Sequence, residues 1–168
     1  ATIQPLGLAT VTVSCHSGEQ MLSGGWALDP SAYRQDTVTG GGIHHSVIDE
    51  YFIAASFPSS PDSWSVTFTN QSAGDGGGNI LGIVHVECLS KGHAPTIVKQ
   101  SGNSASGNSL TANCPSGTQL TSGGYQLNNI SQSNVASTII DFEASTPLGL
   151  TGWQVKTDYS IGNLNHFG

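Results

Sequence analysis

Charged residues are scarce in this sequence, and positive ones are nearly absent. The 168 residues include four Lys and Arg against eleven Asp and Glu, and charged residues make up 9% of the chain. A nucleic-acid-binding surface needs basic side chains to neutralise phosphates, so this composition argues against a nucleic-acid partner. The sequence also has no apolar run near eighteen residues, so we expect no membrane-spanning helix.

Motifs of catalytic and cofactor sites are also missing. The sequence has no G-x-S-x-G elbow, no HExxH helix and no phosphate-binding loop. Asp141 and Glu143 share a strand face, whereas a glycosidase needs two carboxylates opposed across a cleft. His44 and His45 are adjacent and would point to opposite faces of a strand, so they could not easily share an ion. The sequence therefore predicts no catalytic residue, no metal site and no cofactor.

An internal repeat is the main feature that the sequence does contain. The stretch CHSGEQMLSGGWAL at 15–28 returns as CPSGTQLTSGGYQL at 114–127, with eight of fourteen positions identical. A second matching pair of segments, 55–66 and 144–155, follows in the same order. Two blocks in the same order predict a duplicated domain. We therefore expect an N-terminal segment (1–10), a first unit (11–90), a linker (91–108) and a second unit (109–168).

Alternating apolar and polar residues predict strands in both units. Trp64, Val66 and Phe68 alternate with Ser and Thr, a pattern typical of a strand. The linker includes Thr96–Lys99, which has the composition of a short strand. The first unit is expected to have five strands and the second four, at residues 110–114, 119–127, 137–145 and 152–159. Since no segment has a helical period over three turns, the predicted fold class is all-β, with each unit a small sandwich or barrel.

Three cysteines cannot all pair within one chain. Cys15 and Cys88 lie on the inward faces of the first and last strands expected in the first unit. Neighbouring antiparallel strands bring Cα atoms about 5 Å apart, which is within disulfide range. Closing so long a loop would stabilise the unit by about 4 kcal/mol. These considerations favour a Cys15–Cys88 disulfide, with pairing of Cys88 and Cys114 as the alternative.

The second unit lacks a counterpart of the last strand of the first unit. Cys88 lies 24 residues after Trp64, and the same step from Trp153 reaches position 177, nine past Gly168. Open strand edges and exposed apolar surface favour association. Residues 160–168 could form a short last strand, C-terminal residues could have been removed, or another subunit could supply the strand. The expected acceptor groove is lined by Leu110, Ala112, Cys114, Trp153, Val155 and Tyr159.

The N-terminal segment is the expected donor of the missing strand. It is mostly uncharged, has no close copy in the second half, and carries Ile3, Pro5, Leu6 and Leu8. Ten extended residues reach roughly 30 Å, and an added strand gains main-chain hydrogen bonds. Because donor and acceptor lie at opposite ends of the chain, we expect an open, head-to-tail homopolymer.

The Cys-Pro-Ser-Gly block at 114–117, with Gly123, Gly124 and then Trp153, resembles a repeat of secreted bacterial proteins. In that family a Cys-Pro-x-Gly turn, a Gly-Gly strand, a Ser-x-Pro turn, a Trp strand and a closing Cys follow in order. The first unit has His16 in place of the Pro, and the second unit lacks the closing Cys. The layout is also similar to extracellular fibrils whose subunits contain two tandem β-barrels and insert an N-terminal segment into the next subunit. The resemblance implies a structural role.

Two further signals favour an extracellular location. The chain starts at Ala1 rather than Met, as after removal of a signal peptide, and Asn70 and Asn129 begin N-glycosylation sequons. We therefore expect a subunit of a secreted or cell-surface, pilus-like filament and not an enzyme. The alternative is a monomeric secreted carbohydrate-binding or adhesin module, whose partners would be glycans.

Overall fold

The computed structural model describes residues 1–4, 6–28, 51–70, 80–90, 92, 95–102, 108–127 and 141–158. They contain β-strands and no helix, so the protein is all-β, as expected. No helix long and apolar enough to cross a membrane occurs among them. The strands are β1 (Thr2–Ile3), β2 (Leu8–Ser14), β3 (Glu19–Leu28), β4 (Tyr51–Ser60), β5 (Ser63–Asn70), β6 (Ile80–Ser90), β7 (Asn108–Asn113), β8 (Tyr125–Gln126), β9 (Asp141–Leu148) and β10 (Gly152–Asp158).

The described strands form three antiparallel sheets. In the first unit, β2, β5 and β4 make one sheet, which β8 extends at its β4 edge, and β1, β6 and β3 make the other. The second unit contributes a sheet of order β7–β10–β9. By position in the repeat, β7, β10 and β9 are the counterparts of β2, β5 and β4. The described part of the second unit therefore has a counterpart for only one of the two sheets of the first.

Strand β5 is the centre of the core of the first unit. Trp64, Val66 and Phe68 point inward and are 2%, 0% and 1% exposed. Burying side chains of this size stabilises a fold by about 1.5–3 kcal/mol each. The hydroxyl residues that alternate with them along β5 point to the other face and pair with hydroxyls of β2. These pairs are Thr10–Thr67, Thr12–Ser65 and Ser14–Ser63.

A tryptophan ring packs on the backbone of a glycine in both units. A Cβ atom on Gly24 would lie 2.3 Å from Cγ of Trp64, and one on Gly123 would lie 2.2 Å from Cδ2 of Trp153. In each case the indole N–H donates a hydrogen bond of 3.2 Å to a serine hydroxyl eight residues earlier in the chain. The first glycine of each Gly-Gly pair is therefore required, because the tryptophan ring lies too close to its backbone to leave room for a side chain.

Backbone contacts around the cysteine of each unit also correspond. The N–H of Cys15 donates to the carbonyl of Asp62 (2.9 Å), and the N–H of Cys114 donates to the carbonyl of Thr151 (2.7 Å). Asp62 and Thr151 are related by the same 89-residue offset as Trp64 and Trp153. The two units thus share local geometry at the start of the first repeat block.

One expected strand is absent, and another is shorter than the sequence predicts. Residues 96–99 form no strand, and of the expected strand 119–127 only Tyr125–Gln126 is a strand. In the first unit, the corresponding residues of β3 pair with β6. The described part of the second unit holds no strand that could pair with residues 119–124. The alternating pattern of these residues is therefore not sufficient for them to form a β-strand.

Candidate functional site

An open groove of about 470 Å³ lies along the second unit. Five of the six expected acceptor residues, all described, line it, and Tyr159 lies outside the described residues. The linker residues 95–102 form one wall, which the sequence analysis did not anticipate. The five expected lining residues are Leu110, Ala112, Cys114, Trp153 and Val155.

The groove exposes positions that are buried in the first unit. Trp64 and Val66 are 2% and 0% exposed, whereas their counterparts Trp153 and Val155 are only half-buried. Strand β6, whose inward residues Val84 and Val86 pack against the core, belongs to the sheet that covers these positions in the first unit. The groove is therefore a half-core whose second layer is missing from the described part of the second unit.

Backbone edges in the groove also differ from those of the first unit. Residues 19–28 of β3 pair with β6 over their whole length, apart from a register shift between Met21 and Ser23. Of their counterparts 118–127, residues 118–124 belong to no strand, although Leu120 N–H donates to the carbonyl of Leu150. An unpaired backbone edge beside an apolar surface is the arrangement to which an extended segment can add as a strand.

The cysteines differ between the two units. Cys15 and Cys88 form a disulfide with a Cα–Cα distance of 5.8 Å, the pairing that the sequence favours. Cys114 is a free, half-buried thiol that lines the groove. Glu19 lies close to the disulfide sulfurs, but with both sulfurs bonded to each other the carboxylate has no thiolate beside it to bind a metal.

The N-terminal segment lies on its own first unit in this structure. Thr2 and Ile3 pair with Leu81 and Ile80 of β6, and the Ala1 ammonium donates to the carbonyl of Gly82 (2.6 Å). Ile3 is 2% exposed and belongs to the core. Of the other expected donor residues, Leu6 is 37% exposed, Leu8 begins β2, and Pro5 lies outside the described residues. Donation to another subunit would thus require this segment to leave its own unit.

Asn70, the first of the two sequon residues, is fully buried. Its Nδ2 donates to the carbonyl of Ile3 (3.3 Å), and its backbone N–H donates to the carbonyl of Gly7 (2.9 Å). A glycan on Asn70 would force this side chain out of the core, so the fold as described is incompatible with glycosylation there. Asn129, His44 and His45 lie outside the described residues.

Tyr125 joins the two units next to the groove. Its hydroxyl donates to the carbonyl of Ile53 (2.8 Å), while the N–H of Leu127 donates to the carbonyl of Ala54 (2.9 Å). Burial disfavours the charged phenolate and raises the pKa of Tyr125 above its usual value. The phenol therefore remains a neutral hydrogen-bond donor over the physiological pH range.

Replacing Tyr125 with phenylalanine is expected to lower the free energy of unfolding by about 1 kcal/mol at neutral pH, because the hydrogen bond to Ile53 is lost.

The raised pKa of Tyr125 also determines how the free energy of unfolding changes with pH. Below the pKa of an unfolded tyrosine, about 10, both states are neutral; above it the unfolded chain releases a proton that the folded chain keeps, so stability falls. Urea titrations between pH 7 and 11 should show a shallower alkaline loss for Tyr125→Phe, and an unchanged slope would contradict this assignment.

The chemistry that the groove offers is mainly apolar contact and backbone hydrogen bonding. Its described lining is mostly aliphatic, aromatic and backbone, and the titratable side chains among these residues are Lys99, Cys114 and Tyr125. Comparison with protein-family models, with curated proteins and with solved structures gives no match. What the protein does is therefore inferred from the groove and from the contrast between the two units.

Proposed function

We propose that the protein is a structural subunit of an extracellular filament, in which a strand from a neighbouring copy occupies the groove of the second unit. The observation that carries this proposal is the unequal burial of Trp64 and Trp153, which occupy the same position in the repeat. An added strand would cover Trp153 and Val155 as the β6 sheet covers their counterparts, and its main chain would pair with residues 118–124.

The donor in this proposal is the N-terminal segment of the next copy. In the subunit alone that segment covers the first unit, with Ile3 in the core, so assembly is an exchange of one docking site for another. Burial of an Ile side chain is worth about 1.5–3 kcal/mol, a cost that the new strand contacts must exceed. The donor and the groove are different surfaces at opposite ends of the chain, and a head-to-tail contact of this kind produces an open filament unless its rotation closes a ring.

A charge placed in the groove tests the acceptor. Ala112 lines the groove, whereas its neighbour Thr111 lies on the other face of β7. We expect the wild type and Thr111→Glu to form filaments in negative-stain images, and Ala112→Glu to remain monomeric with an unchanged far-UV circular dichroism spectrum. Filaments of Ala112→Glu, or a wild type that stays monomeric at every concentration, would overturn the proposal.

A peptide tests the donor without altering the subunit. A synthetic peptide of residues 1–10 is expected to bind the groove and to stop filament growth, as measured by light scattering. A peptide in which Leu6 and Leu8 are replaced with aspartate should have no effect. If neither peptide slows growth while Ala112→Glu still abolishes it, the groove is the acceptor but another segment fills it, for example residues 159–168 of a neighbouring copy.

Glycan binding is a second candidate function for the same groove. The half-buried indole of Trp153, close to Tyr125, offers an aromatic surface on which a sugar ring could stack. A monomeric wild type that binds on a glycan array, and loses binding in Trp153→Ala, would favour this function. An array without hits together with filaments in solution would exclude it.

A further inference from the structure

Within the described residues, strand pairing joins the first unit to the second at one junction. Strand β8, from the second unit, pairs with the edge of β4 in the first unit, with Ala55 opposite Gln126 and Ser56 opposite Tyr125. The hydrogen bonds that Tyr125 and Leu127 donate to β4 complete this pairing. The junction thus joins β4 to the repeat counterpart of the last part of β3.

No described strand pairs with the outer edge of either counterpart strand. Strand β9 is the counterpart of β4 and forms one edge of the β7–β10–β9 sheet, while β3 forms one edge of the β1–β6–β3 sheet. In the described part of the chain, β9 pairs with β10 alone and β3 with β6 alone. Trp26, which occupies the position of Tyr125, is 40% exposed, and Ser145 is exposed where its counterpart Ser56 is 8% exposed.

A glycine at the junction gives a second, independent indication. A Cβ atom on Gly124 would lie 1.9 Å from the carbonyl oxygen of Ser56, so the intrachain junction requires glycine there. Gly25 holds the same position in β3. Within its own chain the nearest atoms to a Cβ on Gly25 would be those of the exposed His85 ring, at 2.7 Å, and a surface ring can turn away. Among the described residues of the single chain, the close backbone approach that needs a glycine at this position is thus found at Gly124 but not at Gly25.

We infer that the same junction forms between copies: the free edge of β9 in one copy pairs with the free edge of β3 in the next. Transferring the intrachain register places Ala144 opposite Ala27 and Ser145 opposite Trp26. The N–H of Leu28 would then donate to the carbonyl of Glu143, as Leu127 donates to Ala54. Repeating one junction between successive units makes an open array and removes both exposed edges.

This inference rests on the proposed filament but uses a different surface from the groove. Strand insertion buries the interior of the second unit, whereas the β9–β3 junction extends a sheet at its outer edge. The two contacts would act together along the filament. Insertion of the N-terminal segment links one copy to the next, and the β9–β3 pairing aligns their sheets. Each contact can be absent while the other forms, so the two proposals can be tested separately.

Paired cysteines test the register. In a Cys114→Ser background, Ala27→Cys with Ala144→Cys is expected to give a ladder of covalent oligomers on a non-reducing gel after mild oxidation. Residues opposite one another on antiparallel strands have Cα atoms about 4.5–5.5 Å apart, which allows a disulfide. The matched pair Ala55→Cys with Gln126→Cys copies the intrachain junction, and it should cross-link within one chain and run as a monomer.

An off-register pair and a glycine variant complete the test. Ala27→Cys with Leu148→Cys, four residues along β9, should give no ladder. Adding Gly25→Val and His85→Ala to the Ala27/Ala144 pair should abolish the ladder, while His85→Ala alone should keep it. Filaments that depend on Ala112 but give no Ala27–Ala144 ladder would overturn the junction and leave the proposed function standing. A wild type without filaments, together with an Ala27→Cys/Ala144→Cys variant without a ladder, would overturn both.

Discussion

Trp64→Ala is expected to lower the free energy of unfolding by about 3–5 kcal/mol, the usual cost of truncating a buried tryptophan. The indole is 2% exposed, packs on the backbone of Gly24 and donates to the hydroxyl of Ser56. The substitution therefore removes apolar contacts, leaves a cavity and takes a donor away from a buried hydroxyl. A loss of this size is a large part of the stability of a small domain.

Trp153→Ala is the matched control within the same molecule. The ring has the same glycine beneath it and the same serine acceptor, but in the single chain it is only half-buried. We expect a clearly smaller loss for the monomeric Ala112→Glu form, measured by urea titration with circular dichroism. In assembled material the loss should approach that of Trp64→Ala. Equal losses in the monomer would show that the groove is already covered.

Removing the Cys15–Cys88 disulfide is expected to cost about 4 kcal/mol, because the bond closes a loop with a sequence separation of 73 residues. The bond joins the end of β2 to the last part of β6, and so ties together the two sheets around the core. For a chain of this size the loss corresponds to a fall of roughly 10 °C in Tm. Differential scanning calorimetry of the Cys15→Ala/Cys88→Ala variant measures it.

Cys114→Ala provides the comparison for that prediction. The thiol is free and half-buried, so its replacement should change Tm little in the monomer. Treatment of the wild type with a reductant should lower Tm by as much as the double alanine variant. A Tm that reductant leaves unchanged would contradict a stabilising role for the bond.

Much of the fold could be predicted from sequence because strand faces follow directly from residue alternation. The inward row of β5, with Trp64, Val66 and Phe68, and the inward position of Cys88 both come from a period of two. The repeat then relates Trp153 to Trp64. These predictions concern one strand at a time, or positions related by a fixed offset, and they need no knowledge of distant pairing.

The remaining features depend on partners that alternation does not reveal. Residues 119–124 have the pattern of β3 but no strand beside them, and β8 instead pairs with β4 of the other unit. The docking of Ile3 on β6, the burial of Asn70 beneath it, and the linker wall of the groove are likewise long-range contacts. The one available signal for the junction was the Gly-Gly pair followed by an aromatic residue, present in both units.

The hydroxyl pairs between β2 and β5 have a consequence for the conditions that the protein tolerates. In each pair, Thr10–Thr67, Thr12–Ser65 and Ser14–Ser63, either oxygen can donate, so no charge and no fixed proton position is involved. Such bonds are not weakened by counterions, unlike ion pairs at a surface, and they do not titrate between acidic and alkaline pH. We therefore expect the contribution of these hydrogen bonds to the free energy of unfolding to be the same at low and at high salt concentration.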